Sequence, residues 1–157
     1  MKTLIIYDTV YGNTEKIAKA IGDAITGDVK VLRIDEVNPP ELESIDLLIV
    51  GSPTRGFRPT KSVQTFIDNI PGDNLKGIDV VAFDTRIHSS DVGTGLRLLM
   101  KIGGYAAPRI ANGLKKKGGD LAVLPEGFFV KDKEGPLKEG ELERAASWAK
   151  EIIRSKK

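Results

Sequence analysis

The chain of 157 residues contains no cysteine. That excludes disulfides, zinc–thiolate and iron–sulfur centres, and cysteine nucleophiles together. A single histidine, His88, rules out a multi-histidine metal site. Charge of either sign is scarcely in excess: 24 basic against 22 acidic residues leave a net +2. Basic residues nowhere alternate with aromatics as a single-strand binder needs, so nucleic acid is not an expected partner. No apolar run approaches the ~20 residues of a membrane span. The expectation is a soluble, cytoplasmic protein without membrane association. With neither a repeat nor a linker, residues 1–157 read as one domain, long enough to bury roughly two-thirds of its unfolded surface.

What is present is an alternation of short apolar runs with helical patterns. Strands are expected at "KTLIIYD" (2–8), "VKVLRI" (29–34), "DLLIVGS" (46–52), "IDVVAFD" (78–84) and "DLAVLPEGFFV" (120–130), the last broken by Pro125. Between them, "NTEKIAKAIGDAI" (13–25) sets Ile17, Ala18, Ile21 and Ile25 on one helical face. "PPELESI" (39–45) reads as a short helical turn. "PTKSVQTFIDNI" (59–70) reads as a helix with proline in its first turn and Val63, Phe66, Ile67 and Ile70 inward. "APRIANGLKKKG" (107–118) ends in glycine, and "KEGELERAASWAKEII" (138–153) is amphipathic with Trp148 on its apolar stripe. Strands without polar alternation are covered on both faces. Five of them separated by helices predict a three-layer, doubly wound α/β domain with a parallel sheet.

In such a sheet, ligands sit beyond the carboxyl ends of the strands, near the switch in strand order. Three segments leave those ends with unusual chemistry: "DTVYGNT" (8–14), "GSPTRGFRPT" (51–60) and the long irregular stretch 84–105. In the first, Thr9 and Thr14 offer hydroxyls, Asn13 an amide, and Gly12 a close backbone approach. The helix that follows exposes unpaired amides and the positive end of its dipole, which suits a phosphate. The alternative is that Asn13 or Thr14 simply caps that helix. The lysine of a Walker loop and the three glycines of a dinucleotide turn are both missing, so a mononucleotide's terminal phosphate fits better.

"TVYGNTEKIAKAI" resembles the phosphate loop of flavodoxins, Thr/Ser-x-Thr-Gly-x-Thr leading into a helix. Thr9, Gly12 and Thr14 match, and Tyr11 stands where threonine is usual. This variant is similar to the flavodoxin domains of flavodiiron proteins and to flavodoxin-like quinone reductases. "GSPTRGFRPT" resembles the second flavin loop of the same proteins, and the last helix resembles that of single-domain members. The resemblance implies a five-stranded sheet in the order 2-1-3-4-5 with noncovalent FMN at the switch point. It implies that Thr9, Tyr11, Gly12, Asn13 and Thr14 hold the phosphate. Pro53, Thr54, Arg55, Gly56 and Phe57 would line one side of the ring, and Asp84, Thr85 and Arg86 would begin the other. Gly103 and Gly104 would turn the far end of the third loop beneath it. Phe57 is the first choice for stacking on the ring, with Tyr105 or Tyr11 behind it.

The family also implies that a peptide beside Gly56 turns with the redox state of the flavin, a motion glycine permits cheaply. Arg55, Arg58 and Arg86 give the loops a basic character that favours a negatively charged reduced ring. His88 reads as a solvated loop side chain, and Asp8 as the organiser of the first turn. The resulting expectation is an electron carrier between redox partner proteins, a monomer or weak homodimer. The alternative is an FMN-dependent NAD(P)H:quinone oxidoreductase, with Arg55 or Arg58 meeting the nicotinamide cofactor's phosphates. A phosphoryl-receiver domain, which shares the topology, is rejected because "VGSPT" supplies no acceptor aspartate after the third strand.

Overall fold

A computed structural model of the chain describes residues 1–88, 93–95 and 104–156. Six strands, β1 (Lys2–Tyr7), β2 (Asp28–Arg33), β3 (Leu47–Pro53), β4 (Asp79–Ile87), β5 (Asp120–Leu121) and β6 (Glu126–Val130), form one parallel sheet. Its order is β2-β1-β3-β4-β5, with β6 also paired to β4. β5 and β6 therefore fill the fifth position as two pieces. Ala122 still donates to the Val80 carbonyl, and the pairing resumes only past Pro125, which has no N–H to give a ladder. The chain moves outward from β1 to β2, then returns across β1 to β3. Crossovers on the two sides of the β1–β3 pair thus diverge, and a crevice opens at their carboxyl ends.

Among the described residues, four helices cover the sheet: α1 (Asn13–Ala24), α2 (Lys61–Asp68), α3 (Ala106–Lys116) and α4 (Glu141–Ser155), with two short 3-10 turns at Ile34–Glu36 and Pro39–Leu42. The strands divide by their period of two. Leu4, Ile6, Leu48, Val50, Val80 and Ala82 pack with Val63, Ile67, Ile110 and Leu114 under α2 and α3. Ile5, Ile49, Val81 and Phe83 pack with Ile17, Ile21, Trp148 and Ile152 under α1 and α4. Trp148 meets Phe83 and Phe128 edge-on at 6.3 and 5.7 Å between ring centres. Each fully buried aliphatic side chain contributes roughly 1.5–3 kcal/mol, so both faces of the sheet are secured independently.

The start of α2 differs from the expectation. Pro59 lies outside α2, whose cap is Thr60, its hydroxyl accepting from the Val63 amide at 3.4 Å. Neither Asn13 nor Thr14 caps α1; the cap position is Gly12, in the left-handed region at φ 92°. β4 also runs three residues beyond its apolar stretch. Phe83–Ile87 pairs with Glu126–Val130, so Thr85 and Arg86 continue the strand past Asp84 and do not belong to the irregular stretch expected there.

Candidate functional site

The first loop is tied down by Asp8. Its amide donates to the Gly51 carbonyl at 3.1 Å, which holds the end of β1 against β3. One carboxylate oxygen accepts from the Thr9 amide at 2.9 Å and the other from the Thr60 hydroxyl at 2.6 Å, joining the loop to the start of α2. Arg33 adds a 3.5 Å bond to the Thr9 carbonyl. The Thr9 hydroxyl then accepts from the Gly12 amide at 2.8 Å, closing a turn that needs a left-handed residue at its end. Only glycine takes that conformation without cost. A Cβ at Gly12 would meet nothing within 4 Å, so backbone conformation and not crowding selects the residue.

No side chain caps α1, and its first helical bond runs from the Lys16 amide to the Gly12 carbonyl. The amides opening the helix are thus left for solvent or an anion. Thr14, 1% exposed, shares a 2.8 Å hydrogen bond with the Thr85 hydroxyl. The Asn13 carboxamide donates to the Glu134 carbonyl at 3.1 Å, bringing the loop after β6 against the first turn of α1.

The second loop is a two-residue hairpin. Arg55 and Arg58 exchange backbone hydrogen bonds of 2.7 and 3.1 Å, with Gly56 at φ 56° and Phe57 at φ 67° between them. Two consecutive left-handed residues define a type I′ turn, and Phe57 bears about 1–2 kcal/mol of strain there that glycine would not. Thr54 anchors the approach: its amide donates to the Thr85 carbonyl at 2.9 Å, and its hydroxyl accepts from the Ala106 amide at 3.0 Å. Arg55 sits 5.9 Å from the centre of the Tyr11 ring, linking the hairpin to the first loop.

Alternation along β4 separates the third group. Thr85 and Ile87 face the first loop. Asp84 lies on the other face, completely buried, gripped by Arg86 at 2.6 and 2.7 Å and by the Ala107 amide at 2.8 Å. Burial pushes its carboxyl above the ordinary range, and the Arg86 guanidinium and the Ala107 amide work against that rise. Arg86 in turn lies 3.7 Å from the centre of the Tyr105 ring. A Cβ on Gly127 would collide with this guanidinium, so the glycine keeps its place open. His88 contacts Phe129 with 4.7 Å between ring centres.

Between the loops lies a cavity of about 350 Å³. Its polar lining is Thr9, Asn13, Thr14, Thr54 and Thr85, joined by Arg55 and Gly56 of the hairpin. Its apolar lining is Val10, Tyr11, Pro53, Ile87 and Val130. Val10 and Tyr11 are 49% and 42% exposed, so the Tyr11 ring stands at the rim and does not fill the interior. Gly12 shapes the wall through its backbone turn. Phe57, Asp84 and Arg86 are not among the lining residues, and Gly103 lies outside the described residues. Val10, Ile87, Val130 and Lys133 line the cavity without having been singled out in the sequence. A longer β4 would have pointed to Ile87. Nothing local marks Val130, which pairs with Ile87 at the end of β6, or Lys133 in the loop that follows.

Comparison with known proteins bears on this arrangement. A flavodoxin-domain family model matches residues 4–122. An uncharacterized protein of Methanocaldococcus jannaschii is 40% identical over 77 residues, 48% of this chain and 50% of that protein. A flavodoxin of Aquifex aeolicus is 33% identical over 82 residues, 50% of this chain and 44% of that one. The chain thus spans about half the length of the curated relatives it matches. Among solved structures, a flavodoxin from the domain Archaea superposes with a TM-score of 0.78 over all of both chains, at 22% identity. Among the described residues, no helix is long and apolar enough to cross a membrane.

Proposed function

This chain belongs to the flavodoxin family, and from that premise we propose that it binds FMN and carries electrons between redox partner proteins. One observation carries the reading. A helix start that no side chain caps opens beside a hydroxyl-lined cavity of about 350 Å³, at the switch in strand order. That volume is within the ~300–1,000 Å³ typical of small-molecule sites. The donor set fits the group: hydroxyls, a carboxamide and helix amides suit a phosphate without a cation, while Val10, Tyr11, Pro53 and Ile87 suit a planar apolar ring.

FMN, when bound, supplies one- and two-electron chemistry; the protein supplies position and environment. The turn closed by Thr9 and Gly12 leaves the amides opening α1 to hold the phosphate, and Asn13 and Thr14, which line the cavity beside them, would complete its end of the site. The Thr14–Thr85 hydrogen bond, wholly buried, presets that end of the site before any ligand arrives. Pro53, Thr54, Arg55 and Gly56 line one side of the cavity and would form the wall that holds the ring. Arg55, exposed at the mouth, favours added negative charge on the ring, and Tyr11 shields that mouth from water.

The purified protein's visible spectrum tests this, with the released cofactor identified by mass. A yellow protein releasing FMN, or a colourless one that takes up FMN stoichiometrically, is the expected result. A preparation that refuses added FMN overturns the reading. A second reading, an NAD(P)H:quinone oxidoreductase, is favoured by Arg55 and Lys133 both lining the cavity, where they can meet a dinucleotide's phosphates. Rapid bleaching of bound flavin by NADPH alone selects it over the carrier.

A further inference from the structure

A second concavity, of about 330 Å³, runs along the seam between α2 and α3, outside the cavity already described. We propose that this groove docks an acidic segment of a protein partner, one whose carboxylates are spaced about 10 Å apart. That the partner is a redox protein rests on the carrier reading above; the docking does not.

The groove is built from one stripe of each helix. Arg109, Asn112, Gly113 and Lys116 recur at helical spacing along α3, and Gln64, Ile67 and Asp68 face them from α2. Buried Ile67 and Ile110 make the floor. Gly113 lets the helices close on each other, since a Cβ there would come within 2.9 Å of Ile67. Arg58 and Pro59 close the head of the groove, and Gln64 fixes that end by donating to the Pro59 carbonyl at 2.9 Å. Arg109 and Lys116 are seven residues apart, about 10 Å along a helix axis. Exposed cations therefore stand at both ends of an apolar floor.

Charge is distributed unevenly between the two helical layers. α3 carries Arg109, Lys115 and Lys116 and no acidic residue, and Asp68 is the one acid of α2. Lys117 reaches the Asp68 carbonyl at 3.0 Å, adding a further cation at the seam. On the opposite layer, Glu15 and Asp23 balance Lys16 and Lys19 in α1, and the three acids of α4 balance its three bases. Among the described helices, α3 is thus the one with a net positive charge.

A nucleotide fits this groove poorly. Among the described residues, no aromatic lines it to stack a base. The amides opening α3 are already taken, Ala106 by the Thr54 hydroxyl and Ala107 by Asp84, so that helix start is closed to a phosphate. Cations on long exposed stems instead match carboxylates on a partner's surface, where they raise the association rate more than the affinity. Such a contact suits the small, transient interfaces of electron-transfer encounters. Arg58 also pairs by backbone with Arg55, whose side lines the first cavity, so a segment seated here ends against that cavity's outer wall.

The test is an amide NMR titration of the protein with a short poly-L-glutamate at low salt, with ADP as a parallel probe. Shifts are expected to concentrate on residues 58–68 and 109–117 and to fade as salt screens the charges. The Arg58→Glu/Arg109→Glu/Lys116→Glu variant, checked for an unchanged fold by circular dichroism, is expected to bind about tenfold more weakly. Absent binding, unchanged binding by the variant, or shifts centred elsewhere overturns the proposal. ADP binding there more tightly than polyglutamate overturns it in favour of a nucleotide. A protein that takes FMN but not polyglutamate loses only the docking groove; one that binds polyglutamate but refuses FMN loses only the carrier reading.

Discussion

Replacing Arg86 with leucine isolates the buried charge of Asp84. In the native protein the carboxylate has no exposed surface and takes two guanidinium bonds, at 2.6 and 2.7 Å, one amide bond, at 2.8 Å, and a bond from the Thr54 hydroxyl. Breaking a buried ion pair from one side costs roughly 3–5 kcal/mol. The lower end, about 3 kcal/mol, is expected here, because the Ala107 amide remains and the Arg86 side chain is already 16% exposed. The loss has a sign in pH. Burial raises the Asp84 carboxyl above its unfolded value, against the pull of Arg86 and Ala107, and removing Arg86 raises it further. A carboxyl that holds its proton more tightly when folded gives stability at low pH that is lost as pH climbs through its folded pKa. Arg86→Leu is therefore most costly in mild alkali and least costly in mild acid. Urea titrations at both pH values, followed by Trp148 fluorescence from its site against Phe83 and Phe128, measure the difference. The double variant Asp84→Leu/Arg86→Leu removes both charges and is expected to recover most of the loss, leaving the Ala107 amide unpaired at about 1 kcal/mol. A pH-independent penalty, or a double variant no better than the single, refutes the reasoning.

Two further outcomes follow from the same kind of accounting. Gly56→Val places a β-branched residue at φ 56° in open space. The cost is about 1–2 kcal/mol of backbone strain without a clash. The protein should still take up FMN, with a changed reduction potential; an unchanged potential by spectroelectrochemical titration argues against the hairpin as a wall of the ring site. Glu141→Gln addresses acid stability. Burial opposes ionisation of Glu141, but the Arg144 guanidinium and the Phe129 amide outweigh it and hold the carboxyl below the usual range. Its stabilisation is present above the unfolded pKa and lost as pH falls through the folded one. The variant should melt below wild type at neutral pH and converge with it in acid; equal melting temperatures at neutral pH would contradict this.

How much of this was legible depends on how far along the chain each contact reaches. The phosphate-type loop is local: Thr9 bonds Gly12 three residues on, so a hydroxyl, a glycine and a helix start can be read together in the sequence. The two-layer core was legible too, because apolar runs such as "LIIY" place neighbours Leu4 and Ile5 on opposite faces. The end of β4 was not. "DTRI" carries no apolar run, and it stays in the sheet because β6, some forty residues later, supplies its partner. Once that strand is extended, its period of two decides the rest: Thr85 turns to the cavity, while Asp84 and Arg86 must turn away together. Successive side chains of a strand point to opposite faces, so Thr85 lines the cavity with its side chain, and an approach of Asp84 or Arg86 to a ring there would be through their backbone. Lys133 had no signal, since the loop that carries it is held by the Asn13 carboxamide bonding to Glu134, 121 residues distant, and Val130 comes in through its pairing with Ile87 at the end of β4. The polar end of the cavity is thus written in one stretch of chain, whereas its apolar wall exists only after the sheet has assembled. A substitution in β6 that loosens its pairing with β4 should for that reason disturb ring binding while leaving the Thr9–Gly12 turn intact.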